Sequence, residues 1–421
     1  MTNYNPIHRL RPDKVLIYGL VFYLVMFFIA PVSIKKTITI SSASYLILCL
    51  FFFYRGCKHN MNVKDSTFTM DSVIFFQIYN VVFVLSIITV VLKYVDWFFV
   101  RGFSVGLDSF ADNMLSSEEH QTSVISLLSA LVACVPYIPV TLNMIFPIYN
   151  GKKAKFIAFV LFFMTAVGSI VTGSRFALIN PLLFLTFIWV SLNKNRIFTI
   201  KRLIIGFIAT FLFLFFSSAL FIERLGTQGR EIYQALSYEG YSDKVPASTG
   251  FERFLNEHSN DAIQGPAFAF VQSTQYAIHG PFEFPICKQY IDKHGFCTYG
   301  SSTFFVINKF FNFIGMGISS EYIESCNTRP GIWSTFFYNW YLDFNWLGVP
   351  LIFLLGMFCS YSWEKTAKGN FFFLPLTGYL SIIIILMLQL NCIAGTASYA
   401  LFDFIIFALW ATKKMNKGLE K

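Results

Sequence analysis

Residues 203–222 read LIIGFIATFLFLFFSSALFI, 20 positions without a charge. A helix of that length covers a hydrocarbon core about 30 Å thick, so this run is expected to span a membrane. Working outward from it, apolar runs alternate with short Lys/Arg-rich connectors. Spans are expected near 15–34, 38–54, 73–92, 122–148, 156–173, 176–192, 203–222, 344–361, 371–390 and 396–411. With no water in the bilayer core, only helices or closed barrels satisfy the backbone, and long continuous apolar runs select helices. The expected fold is therefore all-α: a polytopic integral membrane protein of about ten transmembrane helices. The first run follows a basic start, MTNYNPIHRLRPDK, and no small-residue cleavage site follows Phe28, so it is expected to be a retained span.

The alternation breaks once, over the polar residues 223–343. The chain thus divides into seven expected spans in 1–222, a large loop in 223–343 and three spans in 344–421, all within one integrated membrane domain. Composition agrees: 55% of residues are hydrophobic and 13% charged, against about 25% charge in ordinary soluble proteins.

The net charge of +9 is distributed as an orientation signal. With the N-terminus inside, the cytoplasmic segments hold 19 Lys/Arg against 5 Asp/Glu, and the opposite side 13 against 17. Basic residues are retained on the cytoplasmic side, so both termini are expected there and the large loop outside. The same distribution argues against nucleic acid as a partner, which would need the cations on one soluble face. No repeat of 20–50 residues and no symmetry between the halves is visible, which weakens a transporter built from two repeats.

Cys287, Cys297 and Cys326 fall in the loop, where an oxidising periplasm favours one disulfide among them without fixing the pair. No Cys-x-x-Cys or His-Glu-x-x-His spacing occurs, so neither a metal nor another cofactor is expected. Within the loop, 264–279 and 301–318 are aromatic-rich and nearly uncharged, which suits segments packed on the spans at the membrane interface.

Arg175 stands between two apolar runs with no room for a loop. A guanidinium there costs about 2.5 to 3.5 kcal/mol at mid-helix, so it either serves an aqueous cavity or snorkels to headgroups. Arg224 and Arg230, in ERLGTQGRE, are the first cations after residue 222, beside Gly226 and Gly229. They suit a phosphate or pyrophosphate at the membrane surface; an ordinary pair between Glu223 and Arg224 is the other reading. Arg253 and Arg329 are weaker candidates from the same loop.

Residues 335–356 read TFFYNWYLDFNWLGVPLIFLLG. They are similar to the Thr, Tyr, Asp-Phe-Gly-x-x-Gly, Gly pattern that leads into a span in the oligosaccharide repeat-unit polymerases, the Wzy-type O-antigen polymerases. The ten-span plan, the Gly173-Ser174-Arg175 between two spans and the single long loop resemble the same family, itself similar to O-antigen ligases and other GT-C glycosyltransferases. The motif covers about 40 residues, and the chain departs from it at Asn345, where the family tends to have Gly. The ligases' His-Asn version is absent.

The resemblance implies an enzyme of surface-polysaccharide (lipopolysaccharide) biosynthesis at the periplasmic face of a bacterial inner membrane. It would transfer oligosaccharide repeat units from an undecaprenyl pyrophosphate carrier onto another carrier-linked chain, without nucleotide sugar, metal or other cofactor. Implied partners are the lipid-linked donor and acceptor, membrane lipids, a chain-length regulator and a repeat-unit flippase.

A departing pyrophosphate needs cations, for which Arg175, Arg224, Arg230, Arg253 and Arg329 are candidates. The acceptor hydroxyl needs a general base, with Asp343 ahead of His279 and His294, and His258 a poorer choice. Asp343 is favoured because partial desolvation at the mouth of a span strengthens a carboxyl's hold on a proton. The other reading of Asp343 is an N-cap of the helix expected from Phe344. Tyr276, Tyr299, Trp333, Tyr338, Trp340 and Tyr341 are candidate sugar platforms; the aromatic run before Asp343 reads equally as an interfacial belt. The alternative functions are an O-antigen ligase, a flippase or exporter of lipid-linked sugar, and a purely structural membrane protein.

Overall fold

The computed structural model describes residues 10–34, 38–59, 71–104, 113, 123–146, 151–166, 175–192, 232–237, 240–258, 263–328, 335–393 and 397–419. The expected span at 203–222 lies outside them. Pro12 fits the first turn of α1 (Pro12–Ile29), where a missing N–H costs nothing. Thr39 opens α2 (Ile40–Cys57) by accepting from the Ser42 N–H at 3.3 Å. Asp71 opens α3 (Ser72–Val95) by accepting from Val73 and Ile74 at 2.8 and 3.0 Å. There follow α4 (Val124–Leu131), α5 (Tyr137–Ile145), α6 (Lys152–Ala166) and α7 (Arg175–Leu192). The expected single span 122–148 is in fact split between α4 and α5. Pro136 has no N–H to continue the ladder and disfavours helix at Val135, so the chain turns over 132–136.

The polar stretch contains α8 (Ile232–Ser237), α9 (Thr249–Glu257), α10 (Gln264–Ile278), α11 (Gly280–His294), α12 (Phe305–Phe313), α13 (Ser320–Ser325) and α14 (Phe336–Phe344). The C-terminal elements are α15 (Gly348–Ala367), α16 (Leu374–Leu386) and α17 (Ala397–Leu419). The described chain is all-helical, with one isolated bridge, Val32 to Ala247, and no strand.

Among the described residues, four segments are long and apolar enough to cross a membrane: Pro12–Ile29, Ile40–Cys57, Ser72–Val100 and Phe336–Ala367. Phe28, Phe51, Val84 and Val91 are exposed on the first three, as lipid-facing side chains would be. The shorter apolar helices 180–192 and 371–386 coincide with two further expected spans.

The polar stretch does not stand apart from these helices. Ser33 donates to Pro246 at 2.8 Å and Ser248 to Pro31 at 2.9 Å, tying 246–248 to the connector between α1 and α2. Helix α10 packs along α1, with Gln275 donating to Leu236 and Val245 carbonyls at 2.7 and 2.9 Å. A single core joins Tyr45 of α2, Phe284 of α11, Tyr341 of α14, Ile352 of α15 and Tyr379 of α16. The polar elements are thus seated at the α1–α2 connector end of the apolar helices, remote from the start of α1.

Candidate functional site

Thr335 accepts from the Tyr338 N–H and starts α14, which lies against α11. The residues between those two helices include Thr298-Tyr-Gly-Ser-Ser-Thr303, a turn with Tyr299 at φ 49° and Gly300 at φ 92°. Such a turn aims successive backbone N–H groups into one concavity, a natural anion seat. Asp343 fills it. One carboxylate oxygen accepts from Thr298 Oγ1 at 2.5 Å and the Ser302 N–H at 2.9 Å, and the other from the Thr303 N–H at 2.7 Å.

Backbone contacts close the same junction: Thr298 N–H donates to the Leu342 carbonyl at 3.1 Å and Cys297 Sγ to the Asp343 carbonyl at 3.1 Å. Asn339 adds a bond to Ser302 Oγ at 2.5 Å. A buried carboxylate survives when its lone pairs are met, and here three donors from one turn meet them.

The expected helix cap at Asp343 is therefore corrected. Asp343 lies in the last turn of α14, and the next long helix begins at Gly348 after Leu347, with no side-chain cap. The carboxylate is fully buried, so its evident work is to hold the 298–303 turn; taking a substrate proton would require it to leave its donors. Neither His279 nor His294 supplies those bonds. His279 is buried at the α10–α11 junction, Nδ1 2.7 Å from the Tyr276 carbonyl and its ring stacked on Tyr276. His294 is exposed at the end of α11, stacked on Phe296, and His258 follows α9 with Nδ1 2.9 Å from the Phe254 carbonyl.

The expected sugar platforms divide. Tyr299 is 79% exposed and Tyr276 half-buried. For Tyr338, Trp340 and Tyr341 the expectation is corrected, because all three are buried and bonded within the protein. Tyr338 Oη donates to the Cys326 carbonyl at 3.2 Å, and Trp340 Nε1 to the Gly348 carbonyl at 2.7 Å, its ring stacked on Phe336. Tyr341 lies edge to face with Tyr45, and its hydroxyl donates to Asp292. Trp333 lies outside the described residues, as do Arg224, Arg230 and Arg329. Arg175 is the first residue of α7, but its side chain is outside the description. Arg253 is exposed on α9.

The expected disulfide is likewise corrected: all three loop cysteines are free thiols. Cys297 is engaged by the Asp343 carbonyl, Cys287 Sγ lies 3.4 Å from Thr328 Oγ1, and Cys326 is buried under Tyr322 and Tyr338. Among the described residues no group of His, Cys, Asp and Glu is arranged to hold a metal.

Sequence reasoning passed over Lys288, Asp292 and Trp346. Lys288 Nζ lies 2.6 Å from Asp292 and faces the rings of Tyr341 and Trp346 at 4.7 and 5.4 Å. The Lys288/Asp292 spacing is that of a helical i, i+4 pair, a signal the sequence did carry. No family model, curated protein or solved structure matches the chain.

Proposed function

We propose that the chain is a membrane glycosyltransferase of the polymerase type. It joins lipid-pyrophosphate-linked oligosaccharide repeat units into a surface polysaccharide at the outer face of the bacterial inner membrane. The observation that carries this reading is the Asp343 clamp: a folded polar segment anchored at the start of an apolar helix of membrane-spanning length. A transfer reaction between two lipid-linked glycans needs such a fixed platform at the bilayer surface, where both substrates are held in register. A flippase has no need of one.

The outer location rests on two concordant features. The charge asymmetry supports a position for 223–343 opposite the basic connectors, and the bonds from 31–33 to 246–248, which hold the latter residues at the α1–α2 connector end, agree with it. In this reading about ten spans place both termini in the cytoplasm. Arg175, Arg224 and Arg230 neutralise the departing pyrophosphate, so no metal is required.

Deleting the gene separates the reading from its alternatives. A polymerase deletion leaves surface lipid carrying a single repeat unit. A ligase deletion leaves long glycan on its carrier and none on the surface lipid, and a flippase deletion leaves single units facing the cytoplasm. Either of the last two patterns would overturn the proposal.

A further inference from the structure

Lys288 is held almost wholly inside the protein, its side chain 6% exposed, yet its partner Asp292 is 46% exposed and its neighbour Trp346 is 45% exposed. Burying an ammonium is costly unless it is paired, and here the pair sets the position of a carboxylate that solvent can reach. Tyr341, fixed between Tyr45 and Phe284, gives Asp292 a second donor. Each carboxylate oxygen thus receives one bond from the protein and keeps lone-pair capacity on its exposed side. Trp346 is fixed in turn by the edge-to-face ring of Tyr45 and by the Lys288 ammonium. An aromatic face and a rigid carboxylate, both within 5.4 Å of one ammonium, lie at the mouth of α15.

We propose that Asp292 and Trp346 form a carbohydrate subsite. The C–H face of a pyranose stacks on the Trp346 indole while its hydroxyls donate to Asp292; Lys288 and Tyr341 position the carboxylate and do not touch the sugar. The ligand class rests on the glycan-transfer reading above, and the subsite adds to it the contacts that would hold one sugar ring of a repeat unit.

The test is binding rather than turnover. The probe is the lipid-free repeat-unit glycan released by mild acid from the cell's own lipid-linked intermediates. It is titrated against the full-length purified protein and followed by saturation-transfer NMR. Wild-type protein should bind it, Trp346→Ala and Asp292→Ala should each weaken binding at least tenfold, and Trp346→Phe should recover part of the loss.

Should the alanine variants fail to accumulate, Trp346→Leu and Asp292→Asn retain most of the side-chain volume and should still lose at least fivefold. Wild-type affinity in these variants, or no binding to the wild type, overturns the subsite. So does a Trp346 variant that lowers the amount of protein in the membrane while the protein that remains binds glycan with wild-type affinity, which is the behaviour of a lipid anchor. If the deletion phenotype excludes polymerisation while glycan still binds through these two side chains, the subsite stands and the transfer reading falls. If polymerisation is confirmed while binding ignores both substitutions, the subsite alone falls.

Discussion

Asn345 has φ 47° and ψ −135°, a region open to glycine and strained for a residue with a Cβ. The strain is of order 1 to 3 kcal/mol, and the surrounding packing sustains it. This is the position at which the chain departs from the polymerase-like pattern, so the departure costs stability while the turn itself is kept. Asn345→Gly should therefore stabilise the protein by about 1 kcal/mol, seen as a higher thermal midpoint in detergent. Two residues earlier, Asp343 binds two backbone N–H groups and one hydroxyl. Asparagine would turn an amide toward those donors, so Asp343→Asn should destabilise by about 1 to 3 kcal/mol and loosen the 298–303 turn. A variant with unchanged thermal midpoint but no activity would instead return Asp343 to the role of base. That Asp343 matters was legible in 335–356. Its task was not, because its donors come from TYGSST some 40 residues upstream, and nothing in the local pattern links the two.

Helices α2 and α15 cross at Gly56 and Gly356, where a Cβ on either glycine would collide with the other helix's backbone, at the Phe353 and Phe53 carbonyls respectively. Small residues at such a crossing let apolar helices approach when burial from water offers no drive between them. Gly348 is restricted by different atoms, since its Cβ would lie 2.6 Å from Tyr45 Oη and 2.8 Å from Trp340 Nε1. Gly348 and Gly356 both belong to the pattern quoted from the sequence, and both turn out to be packing requirements. Gly356→Val should separate the helices and cost about 1 to 3 kcal/mol, measured as a lower midpoint of thermal unfolding. Hydropathy located the element positions well wherever a run is continuous, as for α1, α2 and α3. It failed at 122–148, because an averaged window passes over Pro136, and it cannot foresee that Asp403 of α17 accepts the Cys134 N–H at 3.0 Å inside that break.

At the scale of the whole molecule, α11 and α14 share one hydrophobic core with the apolar helices, while α8, α9 and α10 pack in two smaller clusters against α1 and the connector after it, so the described part of the large loop is a layer built onto the apolar helices. Its aromatic content misled the reading of individual rings. Tyr338, Trp340 and Tyr341 serve that shared core, while Tyr299 and Trp346 are among the exposed aromatics. Composition cannot separate the two groups, since burial depends on which helices meet. The central claim is that this layer lengthens lipid-linked glycan, and it is tested most directly with purified protein reconstituted in vesicles. Single repeat units on their lipid carrier are supplied to the leaflet facing residues 223–343, without ATP, nucleotide sugar, added metal or ion gradient. A ladder of products rising by whole repeat units is the predicted result. Units that remain single, or that grow only when supplied to the opposite leaflet, would contradict it.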